Sequence, residues 1–303
     1  MAISALLRSL HLLIPVMLLL GTGYLLGWRL RIDPQPLSRL ALYGLSPALV
    51  LAALKPKHLP GAELLWIATF SVAMLVAALL LSALLASLLH LDRARRSGLA
   101  LTTAFANTAN LGLPVVALVL GSRGEQAGVL FVLTQVVLLN TVGALVAGSH
   151  NPDGRLLRRT LGLPSLWALG LVLILSALQL PLPQPVAAAA QLGSAGYVPV
   201  VLISLGITLA RTRLLTEWDR VALIGTGARL LVMPALGWLI LSALPLAAVA
   251  QHALLLQAAM PVAVNAYILA QEFQSAGGQV AATVFSSLLG GLLTIPLLSS
   301  WLR

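Results

Sequence analysis

Two short stretches of the chain carry polar groups inside long apolar runs. The first is "NTANLGLPVVALVLG", residues 107–121, and the second is "AAMPVAVNAYILAQ", residues 258–271. Asn107, Asn110, a glycine and Pro114 fall within eight residues of the first, and Pro261 and Asn265 lie four apart in the second. Proline removes a backbone N–H and its ring clashes with the carbonyl one turn back, so each helix is expected to split near its proline. Proline also suits the first position of a new half-helix. Such a half-helix presents unpaired N–H groups and the positive end of its dipole. Two such ends, each contributing about 0.3–2 kcal/mol, favour a small anion, and the amides of Asn107, Asn110 and Asn265 stand beside them. A carboxylate is the simplest choice. The competing interpretation is a pair of purely structural kinks, because proline is tolerated in membrane helices.

The remaining chemistry-bearing residues narrow the function. There is no cysteine, which removes disulfides, thiol catalysis and thiolate metal sites. His11, His58, His90, His150 and His252 fall near the ends of apolar runs and form no H-E-x-x-H pair. No G-x-S-x-G elbow is present either. The sequence therefore reads as a non-enzyme, with no metal or cofactor of its own. The acidic residues are Asp33, Glu63, Asp92, Glu125, Asp153, Glu217, Asp219 and Glu272, each in an expected loop or at a helix end. Glu63 and Glu272 are the best placed for a proton relay. Sodium held by backbone carbonyls at the breaks is the other coupling route.

Arg229, in "GARLLVMP", is the one cation inside an apolar run. It sits about 15 Å from the nearer end of its helix, where an arginine costs roughly 2.5–3.5 kcal/mol on insertion scales. Two explanations stand. Either it serves the site, attracting an anionic substrate or clamping a broken-helix carbonyl, or it snorkels toward the cytosolic surface. Gln135, Asn140, Gln191 and Gln257 read as buried amides that join helices. Gln257, four residues before Pro261, is kept as a site residue.

The elements that must position these groups are membrane helices. The chain has 303 residues, 59% hydrophobic and only 9% charged, whereas a soluble domain carries about a quarter charged residues. The runs are continuous and rich in Leu and Ala, unlike the alternating segments of a membrane barrel. The expected fold is an all-α polytopic membrane protein with ten spans. They lie near 8–28, 37–54, 62–90, 97–121, 126–148, 163–180, 185–210, 219–245, 249–271 and 276–302. The first span is read as a retained helix rather than a signal peptide. The net charge of +10 belongs to short loops and to lipid contact, not to nucleic acid. With the N-terminus outside, twelve cations fall in inner loops and five outside, so both termini are expected to be external. The 16 arginines against 2 lysines suggest a bacterial source, and hence a bacterial cytoplasmic membrane with periplasmic termini.

The chain also resembles itself. "LALYGLSPALVLAAL" from Leu40 and "LGSAGYVPVVLISLG" from Leu192 each place a proline, Pro47 or Pro199, seven residues after the leading Leu. The next prolines of interest follow 67 residues later in one half and 62 in the other. Five spans per half make the second copy inverted, an architecture of secondary transporters. The expected division is a first five-helix repeat at 1–148, a short cytoplasmic linker at 149–162, and a second repeat at 163–303. "GYLLG" (23–27) and "GEQAG" (124–128) fit a small-xxx-small pattern that close helix packing explains.

The two broken stretches together resemble the auxin efflux carrier family, within the bile acid, arsenite and riboflavin transporter superfamily. That family includes plant auxin exporters and bacterial malate- and malonate-type permeases. The resemblance covers the whole chain and is most specific in spans 4 and 9. It implies that those spans cross at the substrate, with Asn107, Gly112, Pro114, Met260, Pro261 and Asn265 at the crossing. It further implies that spans 3–5 and 8–10 form a transport domain moving like an elevator against a scaffold of spans 1, 2, 6 and 7. That scaffold is the expected surface of a homodimer. The short loop "GSHNPDGRLLRRTLG" departs from the long regulatory loop of the plant exporters and favours a metabolite carrier. The expected function is secondary transport of a small organic anion. A sodium-coupled bile-acid-type symporter and an anion channel are the alternatives.

Overall fold

A backbone far from water must satisfy its own hydrogen bonds, and an apolar run of Leu and Ala does so as a helix. The structure, a computed structural model, describes residues 2–52, 61–149, 161–178, 180–211 and 220–302. Helix α1 is Ala2–Leu30, and α2 runs through Gln35–Arg39, Leu40–Leu45 and Ser46–Ala52. Next come α3 (Gly61–Leu88), α4 (Arg93–Ala104), α5 (Thr108–Gly148), α6 (Pro164–Ala177) and α7 (Gln184–Arg211). The chain ends with α8 (Arg220–Ser242), α9 (Ala248–Ala258), α10 (Val264–Phe273) and α11 (Gly277–Trp301). Among the described residues, helix fills the interior of each expected span apart from the two interruptions below, and stops a few residues short at several span ends. Among the described residues, five helices are long and apolar enough to cross a membrane by length and composition. The expected linker lies outside the described residues from 150 to 160, as do Lys55, Lys57, Arg213, Glu217, Asp219 and Arg303.

The 41-residue α5 is not one straight rod. Gly121 has φ 67° and ψ −163°, a left-handed φ that glycine adopts without strain. A methyl placed on Gly128 would lie 3.1 Å from Leu113 and 3.5 Å from Val116. Residues fifteen apart on a straight helix would be about 22 Å apart. The two legs therefore lie side by side as a hairpin turned at Gly121, where the sequence places the boundary between spans 4 and 5. The start of span 4 differs from expectation by four residues. Asp92 caps α4 by accepting the Arg95 N–H at 3.0 Å, so the helix begins at Arg93 rather than near 97.

Prolines are handled in a way that composition does not reveal. One-turn π segments at Leu40–Leu45, Thr108–Gly112 and Ala228–Val232 end two residues before Pro47, Pro114 and Pro234. In each, the residue before the proline donates its N–H five residues back: Ser46 to Ala41, Leu113 to Thr108, Met233 to Ala228. The wider turn absorbs the N–H that proline lacks, and the helix continues. This corrects the expectation that Pro114 splits its helix.

The helices bury one face and leave the other apolar. On α3, Ile67, Phe70, Ser71, Met74 and Ala78 are buried while Leu65, Val72, Val76, Leu80, Leu84 and Leu88 are exposed. An exposed leucine stripe of that length suits lipid, not water. Helix α1 packs along α7, α7 along α2, and α2 along α6. The α1–α7 contact is backbone to backbone. A methyl on Gly23 would lie 2.2 Å from Ile203 O, and one on Gly206 would lie 2.1 Å from Leu20 O. The "GYLLG" pattern is thus the close packing that small residues permit. Helices α3, α4, α5, α8, α9 and α11 pack among themselves, with Phe70 and Phe131 tilted rings 5.6 Å apart between α3 and α5.

Candidate functional site

Two interruptions face each other inside the bundle. The first separates α4 from α5 at Phe105–Asn107, and the second separates α9 from α10 at residues 259–263. Ala106 and Val262 form an antiparallel bridge. Asn107 N–H donates to Pro261 O at 2.7 Å, and Ala263 N–H donates to Phe105 O at 2.8 Å. A third backbone group, Val262 N–H, donates to Ser287 Oγ on α11 at 3.0 Å. Extended backbone at this depth is tolerable only where its groups are paired in this way. Pro261 lies within the second interruption, as its chemistry predicts, whereas the first lies seven residues before Pro114. The new half-helices accordingly begin at Thr108 and Val264, not at the prolines.

The ends of four helices therefore meet. The α5 and α10 starts bring N–H groups and positive dipole ends. The Asn107 carbonyl takes up the N–H groups of Leu111 and Gly112 at 3.4 and 3.1 Å, leaving those of Ala109 and Asn110 at the open start of α5. The α4 and α9 ends bring carbonyls. Arg229, 2% exposed, donates from Nη1 to Thr103 O at 2.8 Å and from Nη2 to Ala258 O. It clamps a carbonyl in the last turn of each broken helix and does not snorkel. The fork of a guanidinium fits two converging carbonyls, which a lysine ammonium would not.

A small open cleft lies on the α5 and α10 side. Its polar lining is Asn107, Thr108, Asn110, Gln135 and Asn265. The side-chain amides of Asn107, Asn110, Gln135 and Asn265 make no hydrogen bond among the described residues. A neighbouring hollow shares Val136, Leu139 and Asn265 and adds Ser46, Asn140 and Tyr197 from α2, α5 and α7. Unpaired amides beside two helix starts can hydrogen-bond both the oxygens and the donors of a small polar solute.

The structure brings together Asn107, Asn110 and Asn265 of the expected residues. Gly112, Gln257 and Met260 pack behind them. A methyl on Gly112 would lie 1.9 Å from Gln257 Oε1 and 3.2 Å from Met260 Cγ. Gln257 is fully buried, reaches Gly128 O from Nε2 at 3.5 Å, and has no partner for Oε1. Pro114 follows the π-turn, and Pro261 sits against Gly291. Sequence reasoning missed Thr108, Ser46 and Tyr197, and took Gln135 for helix-joining glue. Asn140 is nearer to that role, donating to Val136 O at 2.8 Å. Gln191, expected buried, is exposed on the first turns of α7. Glu272 accepts a 2.7 Å hydrogen bond from Tyr43 Oη and lies 3.9 Å from Arg39 Nε, remote from the cleft lining.

Comparison with known proteins places the chain in a family. A family model described as "Membrane transport protein" matches residues 9–153 and 150–299. An uncharacterized transporter of Methanothermobacter thermautotrophicus is 31% identical over 212 residues, covering 69% of each chain. Both agree with the resemblance read from the fourth and ninth spans, and both describe a transport protein. The chain belongs to the membrane transport protein family, that of the auxin efflux carriers.

Proposed function

We propose that this membrane transport protein is a secondary transporter of a small organic anion. The observation that carries the reading is the paired interruption at Ala106 and Val262, with two helix starts and four unpaired amides beside one cleft. In this reading the chain crosses the membrane ten times as two inverted five-helix repeats, and spans 4 and 9 cross at the substrate. Helices α1, α2, α6 and α7 form the scaffold, and the remaining helices form an elevator-like transport domain. Support comes from the packing of α1, α7, α2 and α6 in series. The hollow between Asn265 and the α2 and α7 residues Ser46 and Tyr197 supports the same division.

Two ion pairs support the assigned topology. Arg211 lies 3.8 Å from Asp33, and Arg39 lies 3.9 Å from Glu272, each joining residues assigned to the cytoplasmic side. The reading then has both termini periplasmic, in a bacterial cytoplasmic membrane, with a homodimer formed through the scaffold.

The test is uptake into liposomes of a carboxylate panel including malate, malonate and indole-3-acetate, with pH and sodium gradients imposed separately. Saturable uptake of at least one carboxylate is expected, and Asn107→Ala and Asn265→Ala each lower it at least about tenfold in folded protein. Uptake unchanged in both variants rules out the cleft. Strict sodium dependence favours the bile-acid-type symporter, and ohmic currents without saturation favour a channel.

A further inference from the structure

Four helix ends meet at the interruption, and their charges oppose one another. Each helix end carries about half an elementary charge, positive at the N-terminus and negative at the C-terminus. The starts of α5 and α10 therefore contribute about +1 in total, and the ends of α4 and α9 about −1. Left alone, these sum to nothing, and the site has no reason to prefer an anion over a neutral solute of the same shape. Arg229 changes the sum. Its guanidinium reaches the carbonyl of Thr103, one residue from the end of α4, and the carbonyl of Ala258, the last residue of α9. It is buried, and no carboxylate pairs with it among the described residues. Its unit charge is met only by the two negative helix ends. The two positive starts, which line the cleft with Thr108, Asn110 and Asn265, then stand uncancelled.

We infer that Arg229 sets the charge selectivity of the cleft. It is a positioning residue that neutralises both helix C-termini, so that the helix N-termini select a monoanion over its neutral isostere. The residue does not touch the solute. It stands behind the interruption, outside the cleft lining, and acts through the helices it clamps. The fork matters as well as the charge, because a single guanidinium serves both helices and holds their ends in one register. This rests on the anion reading above and deepens it. The substrate carries one negative charge where it meets the cleft, and a second carboxylate would have to lie outside it.

The experiment measures binding of two matched pairs to detergent-solubilised protein: indole-3-acetate with indole-3-acetamide, and malonamate with malonamide. The wild type is expected to favour the carboxylate of at least one pair on the order of tenfold. Arg229→Gln brings that ratio to about one, chiefly by weakening the carboxylate. Arg229→Lys keeps the charge and retains part of the preference. Because a buried arginine variant can fail to fold, a second route leaves Arg229 in place. Met233→Glu sets a carboxylate one helical turn away, and is expected to lower the ratio where Met233→Gln does not. A folded Arg229→Gln or a folded Met233→Glu that keeps the wild-type ratio overturns the inference while leaving anion transport standing. A wild type that prefers neither carboxylate over its amide overturns the anion reading, and this inference with it.

Discussion

Gly112 and Gln257 form a wedge whose energetics can be worked from the structure. A methyl on Gly112 would sit 1.9 Å from Gln257 Oε1, while carbon and oxygen in contact stay roughly 3.3 Å apart. Gly112→Ala therefore asks the Gln257 amide to retreat by about 1.4 Å. It has little room, because its Nε2 already stands 3.5 Å from the Gly128 carbonyl and the side chain is fully buried. Overpacking of this kind costs about 1–3 kcal/mol. Gln257→Ala removes a side chain whose Oε1 has no partner, so relief from an unsatisfied acceptor, about 1–3 kcal/mol, offsets part of the cavity it leaves. In the double variant the new methyl occupies space that the glutamine vacated. The expected coupling between the two substitutions is at least about 1 kcal/mol in favour of the double variant. The assay is a double-mutant cycle of unfolding free energies in mixed micelles titrated with a denaturing detergent. Effects that add within about 0.5 kcal/mol would falsify the wedge.

Three other outcomes are expected. Asn107→Ala and Asn265→Ala each lower carboxylate uptake at least about tenfold, as loss of one or two solute hydrogen bonds implies, with melting temperature held near wild type. Tyr267→Phe removes a buried hydroxyl that bonds Thr208 Oγ1 and Ser204 O between α10 and α7. It should cost about 1–2 kcal/mol of stability, read as a lower melting temperature in detergent. Gly206→Ala drives a methyl to 2.1 Å from Leu20 O and 2.7 Å from Tyr24 N, so α1 and α7 must separate. A loss of about 1–3 kcal/mol follows, and unchanged thermal unfolding would show that the two backbones do not touch.

Much of the helical layout is legible in the sequence because apolar length and charge are local signals. The turn at Gly121 falls where glycine, arginine and glutamate interrupt the run. The chemistry of the site was partly legible too, since Asn107, Asn110 and Asn265 are polar where polarity is costly. Where the helices break was not. A proline announces a missing N–H but not whether a π-turn absorbs it, as before Pro114, or an interruption does, as at Pro261. That choice depends on whether another chain segment offers partners for the freed backbone. Ser46 and Tyr197 were invisible for the same reason, since only packing of α2 and α7 brings them near Asn265. Arg229 posed its question in the sequence, and only the positions of Thr103 O and Ala258 O answer it.

The bridge between Ala106 and Val262 also bears on how the chain is made. Its two sides are 156 residues apart, and a ribosome adds about 5–20 residues per second. For on the order of 10–30 s, then, the first half sits in the membrane with the Asn107 N–H and the Phe105 carbonyl lacking the partners they will have. A nascent first half thus holds backbone groups that only the second half can pair. Its own sequence cannot complete it, and its maturation waits on the synthesis of Pro261 and Ala263.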